Sequence, residues 1–470
     1  MSQTATKTTE LTDFPDKFSP MLVKELRQGL RTNLFVTAFI LLQGFMILCI
    51  VMGSAESNSN DAANGFFWFF IIVALVVVQP LRGFSTLSNE FTLNTMDLIQ
   101  MTRLDAWRIT WGKWLAINAQ TFLLVAAVAP YLVLRYFFGS INIFADLGLL
   151  GLCTVASALL SAITVGCSAF KNLIVRIAML IGCAIVFSFL WGYTVQQLLN
   201  SRVSGSEIKQ LCLLIYTCVF GAYFFLAFGA SRIAPGSENI STAKRLIGLA
   251  FAIGAWAFQF FGTDNEVCNV IACIILGIVV IDAVSEELPV FGSVLRSFSP
   301  AIRRPFAYLL TPGWHTGIIF FSLIGLPFLL IVVLNYFNFA PRMDEIGFAI
   351  YAAGMITFPL IFIRLFFRNA KLPQFALYLF IQAVLAAVTI LTLSVAQSSV
   401  VDEELVYLFV AIPSVLFFGS FTESLSEPVY IIIGVVWLLL SILIPLLYSL
   451  KHYRAMTTAF NAPKIRPVDV

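Results

Sequence analysis

The residue types that carry most catalytic and metal chemistry are scarce in this sequence, and none is spaced as a known site requires. The two histidines, His315 and His452, stand at the ends of apolar segments, and we expect them at the level of the lipid headgroups. They are too few for a haem or a two-metal centre. The eight cysteines include no Cys-x-x-Cys pair, and no Gly-x-x-x-x-Gly-Lys-Ser/Thr stretch is present to cradle nucleotide phosphates. The sequence therefore predicts no catalytic residue, metal site or cofactor site, and predicts that the chain is not itself an enzyme.

Charged side chains that could relay protons are equally scarce within the apolar segments. Asp146 stands at the edge of one segment, and Arg176, Asp282 and Arg364 lie toward segment ends, where we interpret them as anchors in the membrane interface. A secondary transporter needs ionisable groups inside the membrane to bind its coupling ion. Proton-coupled transport therefore lacks a candidate relay, which favours an external source of energy.

The polar residues inside the apolar segments are mostly neutral. They are Gln43, Gln79, Asn118, Gln120, Gln259, Asn335 and Gln382. Such residues most often form hydrogen bonds between helices, and the alternative is that they face a substrate path.

A charged stretch between Arg82 and Lys113 has a pattern that could form a docking surface. Its apolar residues fall near one helical face: Leu87, Phe91, Leu98 and Met101. Glu90, Asp97 and Arg103 are free to face water or a protein partner.

A second amphipathic segment, at residues 18–31, precedes the first apolar run. Ser19 can cap a helix, and Pro20 suits a first helical turn. One face is apolar, with Leu22, Leu26 and Leu30, and the other is polar, with Lys24, Arg27, Gln28 and Arg31. We predict an interfacial helix that lies along the inner leaflet before the chain turns into its first span.

Together the two segments resemble the permeases of ABC-2 type transporters over about residues 18–140. That family has an N-terminal elbow helix, two spans, and a cytoplasmic loop with an acidic residue, a Gly-Thr-Leu-Asp-Leu-Leu-like stretch and a Gly-Lys pair that opens the third span. The matching positions are Glu90, Thr95, Asp97, Leu98, Gly112 and Lys113. Two positions depart from the pattern: Asn94 stands where the family usually has Gly, and no Pro follows Thr102.

The resemblance implies that this loop, which also contains Arg103, holds a coupling helix that docks in a groove of a separate ATPase subunit. Glu90 and Asp97 would carry that role here. A simpler interpretation is that both acids keep a solvated face soluble while the helix lies on lipid headgroups.

Composition and hydropathy predict the fold class. The 470 residues are 60% hydrophobic and 11% charged, with a mean hydropathy of +0.93, which is too apolar for a soluble protein. We predict an all-α polytopic transmembrane bundle of about twelve spanning helices, because a helix needs about 20 apolar residues to cross a membrane. The predicted spans are 33–53, 65–81, 113–134, 144–170, 173–194, 208–230, 246–262, 267–284, 314–337, 346–366, 373–396 and 429–450.

Basic residues are distributed unevenly if the chain starts in the cytoplasm and the spans alternate. Of the 28 basic residues, all but Arg135, Arg202, Lys209 and Arg342 then lie in inner segments. This is the positive-inside bias, and moving the register by one span would destroy it. We therefore predict a cytoplasmic (inner) membrane protein with both termini in the cytoplasm.

A shorter apolar stretch at 405–419 remains outside this count. If it crossed the membrane, the basic tail from Lys451 would lie outside, and Glu423 and Glu427 would lie inside. Both placements oppose the charge bias, so we predict a re-entrant or interfacial hairpin on the outer side, broken near Pro413. The alternative is an ordinary short span that adds one helix to the count.

The order of elements suggests two fused permease halves, although their sequences do not obviously match. The predicted domains are a cytoplasmic tail and elbow helix at 1–32, a first half at 33–230 with the coupling loop 82–113, a second half at 231–450 with a cytoplasmic loop at 285–313, and a cytoplasmic tail at 451–470.

We therefore expect the permease of an ATP-driven transporter, which forms the translocation pathway and couples to a separate P-loop ATPase subunit. Export is the direction that the resemblance implies. The other expected partners are membrane lipids and a second permease chain, and nucleic acid is not expected. Two alternatives stay open: an autonomous carrier or channel, and a non-transporting membrane scaffold that uses the same loop.

Overall fold

The structure is a computed structural model that describes most of the chain, and throughout this part the secondary structure is helical and contains no strand. The described residues are 20–55, 60–92, 105–138, 143–200, 205–236, 238–263, 265–288, 294–298, 303–336, 343–367, 373–397, 412–419 and 428–461.

The chain forms two compact units. Unit 1 comprises Met1–Phe187 and Gly221–Ile233, and unit 2 comprises Ser188–Phe220 and Ala234–Val470. The main division, after Ile233, lies close to the predicted division after residue 230. The segment Ser188–Phe220 belongs to unit 2, whereas the sequence placed it in the first half.

The first nine α-helices reach the end of unit 1. They are α1 (Pro20–Leu30), α2 (Asn33–Ala55), α3 (Asn60–Ile72), α4 (Gln79–Leu81), α5 (Thr86–Thr92), α6 (Ala106–Phe138), α7 (Ile143–Cys167), α8 (Leu173–Asn200) and α9 (Gly205–Ile233). A π-helical turn at Val73–Val78 and a 3-10 turn at Arg82–Ser85 make residues 60–92 one continuous helical rod.

The remaining helices belong to unit 2. They are α10 (Ser241–Ala257), α11 (Asn265–Ser285), α12 (Arg304–Leu310), α13 (Trp314–Phe320), α14 (Leu326–Tyr336), α15 (Met343–Leu365), α16 (Gln374–Gln397), α17 (Pro413–Gly419) and α18 (Pro428–Asn461). Short 3-10 turns follow α10 at Phe258–Phe261 and occur at Leu295–Phe298, and a π turn at Phe321–Gly325 joins α13 to α14.

Ten helical segments among the described residues are long and apolar enough to cross a membrane, so the chain is an all-helical, multi-pass membrane protein. They are Asn33–Met52, Gly65–Phe91, Ala106–Phe137, Ile143–Cys167, Ile208–Ile233, Asn265–Ser285, Trp314–Tyr336, Ile346–Leu365, Gln374–Ser394 and Val429–Phe460.

Each of the ten coincides with a predicted span. The other two predicted spans are also helical. Span 173–194 lies within α8, and span 246–262 covers most of α10 and the 3-10 turn after it. Among the described residues, α8 contributes a shorter apolar stretch, Leu173–Ile185, and span 246–262 is not one of the ten, so the total of about twelve stays a prediction.

Two spans contain a π turn, and each turn ends two residues before a proline. Val73–Val78 precedes Pro80, and Phe321–Gly325 precedes Pro327. A proline ring inside a helix clashes with the carbonyl four residues earlier and donates no hydrogen bond. The wider π turn relieves this clash, so each span continues through its proline.

In unit 1, α1 packs beside the first turns of α6 and runs in the same direction. Gly112 allows the close approach, because a side chain there would press against Met21, which is buried. Two turns further along both helices, Gly29 lies against the side chain of Gln120. Buried apolar side chains of α2, α3, α6 and α7 form an apolar core in this unit.

In unit 2, α10 and α11 form an antiparallel hairpin that α13 and α14 cover. Gly317 of α13 lies directly on the backbone carbonyl of Ala283, and any side chain at this position would collide with it. The hairpin turn ends at Gly262, whose φ of 80° is in the left-handed region that glycine adopts easily.

The predicted outer hairpin at 405–419 is described only from residue 412 onward. Pro413 begins α17, of which Pro413–Gly419 is described. The buried face of this helix contacts α15 and α16, with Ser414 hydrogen-bonded to Thr389 at 2.7 Å. The re-entrant course stays a prediction.

Candidate functional site

An ion cluster in unit 1 joins three elements at the start of the third predicted span. The Nζ of Lys113, on α6, lies 3.0 Å from Oε1 of Glu25 on α1 and 3.1 Å from Oε1 of Glu90 on α5. The side chain of Lys113 is 3% exposed, and those of Glu25 and Glu90 are 14% and 13% exposed. We call these three residues the Lys113 cluster.

The packing of α1 on α6 places Glu25 opposite Lys113. Met21, Glu25 and Gly29 follow one another at intervals of four residues, so they lie on one helical face, the face that contacts α6. Gly112, next to Lys113, removes the side chain that would hold the two helices apart.

The other end of α1 is held by Arg82, which precedes α5. Its guanidinium donates hydrogen bonds to the carbonyl of Gly29 at 2.7 Å, to Thr32 at 3.1 Å and to Gln120 of α6. Gly29 supplies one of the last carbonyls of α1, where the helix dipole favours a positive charge. The elbow helix is therefore fixed to the chain on both sides of the loop.

Helix α5 is fixed in turn to the end of α7 and the start of α8. The backbone N–H of Leu87, which is fully buried, donates to Oγ of Ser168 at 3.2 Å. Arg176 donates to the carbonyl of Phe84 at 3.2 Å and to Ser88 at 2.8 Å. A movement of α5 would therefore be transmitted to the end of α7 and the start of α8.

The predicted coupling residues fall partly within this arrangement. Glu90 and Lys113 bind each other, so Glu90 is not presented freely to water as the sequence suggested. Gly112 serves the packing of α1. The other four predicted residues, Thr95, Asp97, Leu98 and Arg103, lie outside the described residues.

The elbow helix shows the expected two faces. Lys24, Arg27 and Arg31 are exposed, and Leu22, Leu26 and Leu30 are half-buried. A third face, which carries Glu25, was missed by the sequence analysis. The four-residue spacing of Met21, Glu25 and Gly29 was visible, but their partner on α6 lies 88 residues away along the chain.

Unit 2 contains a larger ion cluster at the ends of α10 and α11. Lys244 lies 2.6 Å from Asp282 and 2.8 Å from Glu286, and Arg245 lies 2.9 Å from Glu286. All four side chains are at most 8% exposed. We call these residues the Glu286 cluster.

The Glu286 cluster also binds backbone groups in the loop at 285–313, which the sequence predicts to be cytoplasmic. Arg245 donates to the carbonyl of Leu309 at 2.6 Å, and Glu286 accepts from the backbone N–H of Gly313 at 3.2 Å. Gly313 has a φ of 120°, which a residue with a side chain rarely adopts. This backbone turn brings the start of α13 onto Glu286, whose carbonyl accepts from Trp314 N–H at 3.1 Å.

Glu286 stays ionised although it is fully enclosed. Burial by itself raises the pKa of a carboxyl, but here the attraction of Lys244 and Arg245 and the hydrogen bonds from Lys244 and Ser241 outweigh it. The result is a pKa lowered to about 2. The cluster is therefore a set of matched charges, with the two cations opposite the two acids.

Three predictions about this region were wrong. Asp282 is not an anchor in the membrane interface, because its side chain is 5% exposed and binds Lys244. His315 is not a headgroup-level residue, because it is fully buried, with the His452 ring 5.8 Å away. Arg364 likewise stacks on Trp314, with 3.5 Å between the guanidinium carbon and the ring centroid. Sequence reasoning missed these contacts because α18 supplies part of them from far along the chain.

Comparison of the chain with protein-family models, with curated proteins and with solved structures found no match.

Proposed function

We propose that this chain is the membrane-spanning permease of an ATP-driven transporter, and that its loop between Arg82 and Lys113 couples the spans to a separate P-loop ATPase subunit. The Lys113 cluster is the observation that carries the proposal. One lysine on α6 binds an acid from the elbow helix and an acid from the helix that leads into the loop. A force applied to the loop therefore reaches α1, α5 and α6 together.

The charges in the Lys113 cluster can keep α1 and α5 bound to α6 while allowing small movements between them. Two carboxylates share one cation, so the cluster has a formal charge of −1, and each acid keeps a little contact with solvent. Partly exposed ion pairs are weaker than enclosed ones because water screens them. Small changes of the angle between α1 and α5 therefore require little free energy, whereas complete separation of either acid from Lys113 requires much more.

In this proposal the chain spans an inner membrane about twelve times, with both termini in the cytoplasm, and exports its substrate. The positive-inside bias supports the orientation, and the resemblance of residues 18–140 to ABC-2 permeases supports the family and the direction. If the two units act as fused permease halves, one chain forms the pathway; otherwise a second permease chain completes it. The stoichiometry of the complex decides between the two.

Purification from the native membrane in mild detergent, followed by mass spectrometry, tests the proposal. We expect a soluble subunit with a P-loop to be recovered with the chain. Asp97→Lys should weaken its recovery, because Asp97 is assigned to docking. Lys113→Met should retain the subunit but lose the effect of the permease on its ATPase rate, because Lys113 is assigned to transmission.

The matched control is Arg108→Gln. Arg108 lies five residues before Lys113 and forms a highly exposed pair with Asp105 at 3.5 Å, so this change should alter neither recovery nor rate. Recovery of an intact, folded chain without any ATPase would contradict the proposal and favour the autonomous carrier. Recovery with other membrane proteins and no ATPase would favour the scaffold.

A further inference from the structure

A group of polar residues lies at the end of unit 2 opposite the Glu286 cluster, where the charge distribution predicts the outer side. The Nδ2 of Asn335, on α14, donates to Oε1 of Gln259 at 2.8 Å, and Tyr336 is hydrogen-bonded to Glu266 on α11. Asn269 lies one turn beyond Glu266 on the same face of α11. We call these five residues the outer polar cluster.

Exposure falls along the outer polar cluster from its rim inward. Glu266 is exposed and Tyr336 is 39% exposed, whereas Asn269 is only 3% exposed. Asn269 shares a helical face of α11 with Val280, which contacts Gly325, and with Ala283, which contacts Gly317. This face is therefore the one turned toward the span that contains α13 and α14.

The innermost amide has no partner within the described part of the protein. Neither Nδ2 nor Oδ1 of Asn269 forms a hydrogen bond with another described residue, and neither does Nε2 of Gln259. A polar group buried in an apolar region without a hydrogen-bond partner destabilises the folded protein. Since leucine or valine would avoid this cost, the amide of Asn269 is better explained by a bound polar group than by packing.

We propose that the outer polar cluster is a binding site for an uncharged, oxygen-bearing group, such as a hydroxyl or carbonyl, of a molecule that moves through the permease. The unsatisfied atoms are two amide nitrogens, Nδ2 of Asn269 and Nε2 of Gln259, and one amide oxygen, Oδ1 of Asn269. Together they can donate to an oxygen atom of the bound group and accept from a hydroxyl on or next to it. None of its five residues is a cation and Glu266 at its rim is an acid, so these residues favour an uncharged group over an anion. This inference rests on the proposed transport function, and it places a binding site at the outer end of the translocation pathway.

The first test measures access by labelling with a membrane-impermeant, cationic methanethiosulfonate reagent. A single cysteine is placed at Asn269→Cys in a variant that lacks the native cysteines. The matched control retains only Cys268, which is adjacent and fully buried and contacts Thr263 at 3.0 Å on another face. We expect labelling of position 269 from the outer side to be about tenfold faster than labelling of Cys268, because the control reacts only through local opening.

The medium identifies the source of the bound group. Fast labelling both in vesicles of phosphatidylethanolamine and phosphatidylglycerol and in dodecyl maltoside micelles indicates a site for a soluble molecule. Fast labelling in micelles alone indicates that a lipid glycerol or ester group fills it. Equally slow labelling of both positions in both media would overturn the proposal.

The second test is independent of labelling and of any ATPase. Asn269→Leu removes both unsatisfied amide atoms. If the site holds no guest, the variant gains the avoided cost and its Tm rises. If the site holds a polar group, we expect the Tm to fall by about 2 °C or more, because a leucine excludes the group. A rise in Tm together with fast labelling in both media means that the guest is a soluble molecule lost during purification. A rise in Tm together with slow labelling of position 269 would contradict the inference while leaving the ATPase proposal intact, and loss of ATPase recovery with a lowered Tm would do the reverse.

Discussion

The two units place ion clusters at corresponding positions, next to a predicted cytoplasmic loop, but they build them differently. In unit 1, one cation binds two acids from separate helices, and the acids are 13–14% exposed. In unit 2, two cations bind two acids, and no member is more than 8% exposed. In the Glu286 cluster, Glu286 also accepts a hydrogen bond from the backbone N–H of Gly313, and Arg245 donates one to the carbonyl of Leu309.

This difference indicates different mechanical roles. A neutral, enclosed cluster with backbone bonds holds its loop as part of the helix bundle, because moving it would leave buried charges without partners. A partly exposed cluster with one shared cation connects its loop to the bundle but allows it to pivot. We therefore expect the loop of unit 1 to transmit motion and the loop of unit 2 to resist it.

The largest effect is expected when Glu286 is removed. Glu286→Ala leaves Arg245 without a carboxylate in a fully enclosed site, which should cost about 3–5 kcal/mol in the free energy of unfolding. Denaturant unfolding of the purified protein in micelles measures this. Glu287→Ala is the matched control, since this adjacent acid is exposed. Equal stability of the two variants would show that the Glu286 cluster does not hold unit 2 together.

Acid should weaken the same cluster in a defined range of pH. Because the pKa of Glu286 is lowered from 4.5 to about 2, ionisation favours the folded state, and this contribution is complete above pH 4.5 and lost as the pH falls toward 2. We expect the stability difference between wild type and Glu286→Gln to shrink over that range. A difference that already disappears between pH 7 and pH 5 would contradict the assigned charge state.

Removing the cation of unit 1 should have a smaller effect. Lys113→Met leaves Glu25 and Glu90 close together without their shared partner, but both can recover some contact with water. We expect a loss of about 1–3 kcal/mol in the free energy of unfolding. If Lys113→Met destabilised the protein as much as Glu286→Ala, the two clusters would not differ as proposed.

The smallest effect concerns how the two acids of unit 1 depend on each other. Because Glu25 and Glu90 bind the same Lys113, the effects of Glu25→Gln and Glu90→Gln should not add, with an interaction of about 0.5–1 kcal/mol. A double-mutant cycle on unfolding measures this interaction. The cycle of Glu90→Gln with Arg108→Gln, whose pair with Asp105 is exposed, should be additive. If the effects were additive in both cycles, Glu25 and Glu90 would be independent of each other and would not share Lys113 as proposed.

Helix type and approximate position could be predicted from the sequence because they follow from local patterns. Ten predicted spans coincide with membrane-length helices, since an apolar run of that length leaves few alternatives. The two faces of the elbow helix follow equally from the spacing of Leu22, Leu26 and Leu30. Pro80 and Pro327 were not predicted to cause π turns, because a sequence does not show how a helix adapts around a proline.

The partners of the charged residues could not be predicted, because they are set by packing between distant segments. Glu90 was assigned to a docking surface from its place in a motif, while its contact with Lys113 depends on the course of α6. Asp282 was expected to face the membrane interface, but the hairpin of α10 and α11 brings Lys244 to it. In both cases, a charge near a span end had an internal partner that no local pattern revealed.

Contact between the loop of unit 1 and an ATPase subunit can be measured by cross-linking in native membranes. The photoreactive amino acid benzoylphenylalanine is placed at Asp97, and the control carries it at Glu403, which the charge distribution predicts to lie outside. We expect position 97 to cross-link to a subunit with a P-loop and position 403 not to do so. Cross-links from position 97 only to lipid, or only to this chain itself, would show that the loop does not dock on an ATPase.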